Sequence, residues 1–274
     1  MSKRNRYLFG IHAHPPKVVA LFYQAVPFLA LIVVYHVTSS AYLAANPDGK
    51  IFPSFTMMLE SMKEMAFVRD VRTGTFTLWA DTFASLFRFG SGIVLAAITG
   101  LLLGLNMALF PGMRLIALPF VTALSIIPTL ALLPILLIVF GIGDVAKVSL
   151  IFLGLTFFIA RDIYTMTLEI PQELLVKAQT LGASELALVY RIVLPLTMPR
   201  LIEAVRQSVG PAWLFLIASE GIAATQGLGY RVFLQRRYLD MATIIPYVIW
   251  ITVLAFAIDR CLALAVRYLY PWKQ

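Results

Sequence analysis

Few residues in this chain have the chemistry and the setting for a site. Glu220 follows the apolar run "PAWLFLIAS", and a carboxylate in lipid is costly unless it is paired or wet. Two readings stay open for it: a group in a polar path, or a hydrogen-bond partner for the "TQGLG" turn that follows. Ser125 and Thr129 lie one turn apart around Pro128, and Pro134 comes next. A proline removes a backbone hydrogen bond and kinks its helix, so the freed carbonyls need water, a cavity or a neighbour. The two hydroxyls either line a path or repair the broken ladder. Trp213 belongs either to that path or to the packing between helices.

Other chemistries find little support. His12 and His14 form an HxH pair on a basic tail, which leaves a metal site incomplete. His36 sits in an apolar run and reads as a packed or interfacial histidine. Cys261 is the only cysteine, so an intrachain disulfide is excluded. No serine–histidine–acid set or carboxylate pair stands out, and no metal site or enzyme chemistry is expected. No G-x-x-x-x-G-K-[ST] occurs, so the chain lacks that kind of phosphate cradle.

The elements that must carry these residues are apolar. Of 274 residues, 60% are hydrophobic and 13% charged, a balance unlike that of a soluble domain. The expected class is an all-α polytopic membrane protein with about six transmembrane helices, near 18–38, 86–106, 114–140, 146–166, 203–223 and 243–266. Segments of roughly 20 apolar residues suffice to cross a bilayer. The first run is longer than a signal-peptide core and lacks a small-residue cleavage site, so it reads as an uncleaved span. Residues 1–17 form a basic tail, expected in the cytoplasm, ahead of a single domain over 18–270. The formal charge of +8 fits Lys and Arg concentrated at the cytoplasmic side rather than nucleic-acid binding. Arg231, Arg236 and Arg237 fall on the outer side against that rule; a local partner or the bias of the earlier spans would explain them.

Between spans lie shorter amphipathic pieces. "SFTMMLESMKEMAF" has a helical apolar face, and "LWADTFASLFRF" reads as a second piece placing Trp79 and Arg88 at the interface before span two. Gly100 and Gly104 have the spacing that lets helices approach closely.

The polar stretch 168–200 reads as two short helices around a hinge. Pro171 suits a first helical position and Glu173 complements the helix dipole. Gly182 suits the left-handed residue after a helix, and Ser184 an N-cap. Pro195 is expected to stop the second helix. The first helix is about 16 Å long and does not cross a bilayer. Two short apolar faces exceed what a solvated loop needs and fit a surface for another protein.

This stretch carries Ala178, then Gly182 after three residues, then nine residues, then "IVLP" at Ile192–Pro195. It resembles the cytoplasmic motif of inner-membrane subunits of bacterial ABC importers, departing at Val176 and Lys177, where the motif has glutamate and alanine. "FPSFTMMLESM", "IIPTLALLPILLIVFGIGDVAKV" and "SEGIAATQGLGY" are similar to stretches of nitrate, sulfonate and taurine importer permeases. The resemblance runs from about Ile51 to the C-terminus.

The resemblance implies a type I ABC importer permease fold in the bacterial cytoplasmic membrane, with both termini inside. It implies that Ala178, Leu181, Gly182, Ala183, Ser184, Glu185 and Pro195 belong to an element docking on a separate ATPase dimer. ATP and magnesium would then sit on that partner, and this chain would bind no cofactor. A second permease copy and an extracytoplasmic solute-binding protein complete the implied assembly. The solute would be small and anionic. A stand-alone secondary transporter or channel is the competing class; it calls for embedded coupling charges or inverted repeats.

Overall fold

The computed structural model describes residues 16–47, 49–71 and 73–273. The basic tail with His12 and His14 lies outside the described residues. Every long element is helical, as a lipid-facing chain requires, because each backbone polar group must be satisfied within its own segment.

Helix α1 (Lys17–Ala45) contains Pro27 and presents almost its whole surface outward. Tyr35 and Ser39 donate to the carbonyl of Pro53 (2.7 and 3.1 Å), tying α1 to the start of α2 (Phe55–Phe67). Ser54 caps α2 by accepting from the Met57 N–H at 3.3 Å. The amphipathic face read there packs inward through Met58, Met62, Met65 and Ala66.

The second amphipathic piece is not separate. Thr77–Leu109 is one helix of 33 residues, α3. Trp79 remains half-exposed, edge-on to Trp250, while Arg88 is buried inside the bundle. The reason is electrostatic: Arg88 finds two carboxylates inside the bundle, and continuing the helix delivers it to them.

Helix α4 (Pro111–Ile126) stops before Pro128. A 3-10 turn at Thr129–Leu132 then leads into α5 (Leu133–Phe140), with Pro134 in its first turn. The two halves are bent by 87°. The prolines expected to interrupt this span therefore break it. Arg114 covers the open end of α3, donating to the carbonyls of Met107 and Ala108 (3.2 and 3.0 Å).

Helix α6 (Asp144–Leu168) lies along α3. Gly92, Ala96, Gly100 and Gly104 recur every fourth residue and face Ile151, Ile159 and Ile163. The small-residue spacing is thus a packing seam. A Cβ at Gly104 would meet the Ala160 carbonyl at 2.7 Å.

Helix α9 (Leu194–Ala223) packs against α3, α6, α10 (Leu228–Arg237) and α11 (Met241–Leu269). Helices α1, α3, α6 and α11 are long and apolar enough to cross a bilayer, and the bent α4–α5 pair makes a fifth candidate. Helix α9 is about 45 Å long but more polar, carrying Arg200, Glu203, Arg206 and Glu220. Its charges are paired: Arg206 with Asp259 at 2.9 Å, Arg200 with Glu203 at 3.6 Å, Glu220 with Arg88 at 2.6 Å.

Candidate functional site

Two places have a geometry built for a job: the element between α6 and α9, and the polar groups inside the bundle.

The element opens with α7 (Gln172–Thr180). Pro171 stands one residue before the helix rather than in its first position. The helix ends in a Schellman motif: the Ala183 N–H reaches the Ala178 carbonyl at 3.0 Å, and the Gly182 N–H that of Gln179 at 2.9 Å. Gly182 holds φ +84°, where glycine pays no side-chain penalty. Ser184 then caps α8 (Glu185–Leu188), its hydroxyl accepting from the Ala187 N–H at 3.3 Å. The alanine-to-glycine spacing seen in the sequence is the spacing of this cap.

Pro195 does not stop the second helix. The chain runs from α8 through a π-helical turn, Val189–Val193, directly into α9. A proline clashes with the carbonyl four residues back, and the wider π turn just before it relieves that crowding. The consequence is a rigid extension of α9, with α7 folded back at the Gly182 hinge.

Leu175 and Leu188 anchor the element to the core. Its outer rim is apolar and uncovered: Leu181 is 88% exposed, Leu186 70% and Val176 54%. Lys177, Gln179, Thr180 and Glu185 surround that rim and are also exposed.

At the opposite end of α6 and α9 lies a buried ionic network. Glu220 is fully enclosed and accepts from Ser85 (2.8 Å), Arg88 (2.6 Å) and the Gly229 N–H (2.8 Å). Arg88 also donates to Asp144 (2.7 Å) and to the Gln226 carbonyl (2.9 Å). Beside it, buried Asp81 accepts from the Gly227 N–H (2.9 Å) and from Arg231 (2.8 Å). Burial is the largest influence on Arg231 and works against its charge, but the hydrogen bond to Asp81 and the charge of that carboxylate together hold the guanidinium above its ordinary range. Arg231 is therefore paired with a local carboxylate. Gly227 adopts φ +131°, and a side chain there would run into the Glu220 carboxylate.

Of the two readings of Glu220, this geometry realises the bond to the following turn. Its partners Ser85 and Arg88, and Asp81 in the adjoining joint, went unrecognised in the sequence. Their spacing of four and then three residues puts them on one helical face, and that polar stripe within an apolar span was the available signal. Trp213 lies between helices, stacked on Phe89 with ring centroids 4.7 Å apart. Its indole N–H is buried and meets no acceptor among the described residues.

Ser125 and Thr129 are brought together on the wall of a cleft of about 350 Å³ at the α4–α5 break, away from Glu220 and Trp213. Ser125 donates to the Thr122 carbonyl at 2.8 Å, within its own helix, and lines the cleft. Arg161, Asp162 and Thr165 of α6 form the facing wall.

The profile of one protein family, the binding-protein-dependent transport system inner membrane component, matches residues 92–274. The chain belongs to this family. It is the transmembrane permease subunit of an ABC importer and a multi-pass inner-membrane protein, not itself an enzyme. The taurine transport system permease protein TauC of Escherichia coli (strain K12) is 33% identical over 196 residues, covering 72% of this chain and 71% of its relative. The nitrate import permease protein NrtB of Synechococcus elongatus is 30% identical over 194 residues, 68% of each chain. In solved structures, an inward-facing form of the MetNI methionine ABC transporter matches with a TM-score of 0.61 at 21% identity, covering 70% of this chain and 95% of its own. That likeness establishes the fold. The stand-alone transporter is the disfavoured alternative.

Proposed function

We propose that a single domain over 18–270 pairs with a second copy to form the path for a small anionic solute. Nitrate, sulfonates and taurine are the solutes suggested by the relatives' names. ATP and magnesium act on a separate ATPase dimer, and an extracytoplasmic binding protein delivers the solute. Both termini and the 168–200 element face the cytoplasm.

The observation that carries this reading is the uncovered apolar rim of Val176, Leu181 and Leu186, held on a backbone capped at Ser184 and turned at Gly182. Apolar side chains on a rigid polar frame suit insertion into a groove of another protein. Glu185 and Lys177 supply charged contacts at its edge. Closure of the ATPase pair would pull two such elements together, and each continues into α9 without a break, so the movement passes to the bundle.

The test is copurification with a soluble ATPase, followed by ATP-driven uptake in proteoliposomes. The Gly182→Arg variant should insert into the membrane and lose uptake. Uptake that persists with no ATPase present would overturn the reading.

A further inference from the structure

Arg161 stands apart from the other arginines near the bundle interior. Arg88, Arg206 and Arg231 each pair with a carboxylate, and Arg114 caps α3. Arg161 instead makes one hydrogen bond, to the Ser125 hydroxyl at 3.0 Å, and no carboxylate pairs with it among the described residues. A guanidinium presents five donors in a planar fork, so most of its capacity is open. It is exposed, and it opens on the cleft at the α4–α5 break.

The cleft supplies what an anion needs around such a fork. Thr129 brings a hydroxyl, while those of Ser125 and Thr165 donate to the Thr122 and Arg161 carbonyls (2.8 and 3.0 Å), so Ser125 steadies the fork it accepts from and Thr165, one turn beyond Arg161, lines the same face. Phe157 and Phe158 bring apolar surface for a short carbon chain. The Asp162 carboxylate also lines the cleft and limits its net charge, which disfavours multiply charged ligands. Arg161 is about 26 Å along α6 from Asp144 and about 10 Å from Leu168, so the cleft lies toward the end bearing the 168–200 element.

We infer that Arg161, steadied by Ser125 and flanked by Thr129, forms a transit site for a singly charged oxyanion head, a sulfonate or nitrate group, near the inner end of the path. This deepens, and rests on, the reading of the chain as an anion importer's permease.

The test uses the full chain with Thr165→Cys in a Cys261→Ser background. The cysteine is labelled with two methanethiosulfonate reagents, one bearing an ethylsulfonate and one an ethyltrimethylammonium. With Arg161 present the sulfonate reagent is favoured. The ratio of the two rates should fall about fivefold in Arg161→Gln, the effect of roughly one unit charge at a solvated site, and recover in Arg161→Lys. Millimolar ethanesulfonate, taurine or nitrate should slow labelling in the Arg161 background, and whichever protects names the head group. An unchanged ratio in Arg161→Gln, or no protection by any of the three, overturns the site. If Arg161→Gln fails to fold, protection in the Arg161 background decides alone. Labelling needs no ATP and no partner chain, so its failure is separable from a failure of ATP-driven uptake.

Discussion

Arg88 and Glu220 meet at 2.6 Å between α3 and α9, both buried, with Arg88 also reaching Asp144 on α6. One guanidinium thus joins three helices. The Glu220 carboxylate is committed to protein donors on Ser85, Arg88 and Gly229, and Gly227 leaves room for it. Removing one member of a buried pair strands the other charge, which is costlier than the pair is stabilising.

Glu220→Gln should therefore act on stability before transport. It leaves Asp144 as the one carboxylate on Arg88, beside the Gln226 carbonyl, and is expected to cost about 3 kcal/mol, seen as a lowered melting temperature of the solubilised chain. Uptake per folded molecule should persist. An unchanged melting temperature with uptake lost would instead mark Glu220 as a gating group.

Asp81 and Arg231 form the second joint of the same network, at 2.8 Å. Asp81→Ala should destabilise more than Arg231→Ala, because it also orphans the buried Gly227 N–H. The double-mutant cycle should give a coupling of about 1–3 kcal/mol, read from chemical denaturation of the solubilised chain. Additivity of the two variants would dissolve the joint.

The helical runs and the 168–200 cap were legible because both rest on local signals. Apolar periodicity marked the spans, and Gly182 and Ser184 have backbone duties that nearest neighbours decide. Two things were hidden. The fate of Pro195 turned on the π turn before it, a local geometry with no distinctive residue type. The partners of Glu220 turned on tertiary contact: Ser85 and Arg88 are more than 130 residues away in the chain. Charge at a span's end is usually wet, so nothing local marks Arg88 as buried; its carboxylate partners are what permit the burial.

The α3–α6 seam predicts opposite effects of two glycine changes on one helix. Gly104→Val pushes side-chain atoms into the Ala160 carbonyl and Ile163, and should cost about 1–3 kcal/mol or more. Gly90→Ala meets nothing within 4 Å and should be neutral or stabilising by up to about 1 kcal/mol, since alanine favours the helix. Thermal unfolding of the two variants side by side checks this; equal destabilisation would mean α3 and α6 do not pack along that stripe.

The coupling element separates backbone shape from surface contact. Around Gly182 there is open space, so Gly182→Ala costs only the left-handed conformation, about 1 kcal/mol, and would reshape the turn that presents Leu181. Leu181→Glu leaves the turn intact and, at an exposed position, should shift stability by no more than about 0.5 kcal/mol. Both should weaken copurification of the ATPase, but Leu181→Glu alone should do so with an unaltered melting temperature. Because α8 runs unbroken into α9, loss of that contact should abolish ATP-driven uptake rather than merely slow it. Retained ATPase binding by Leu181→Glu would move the docking surface off this rim and onto the charged side chains Lys177 and Glu185.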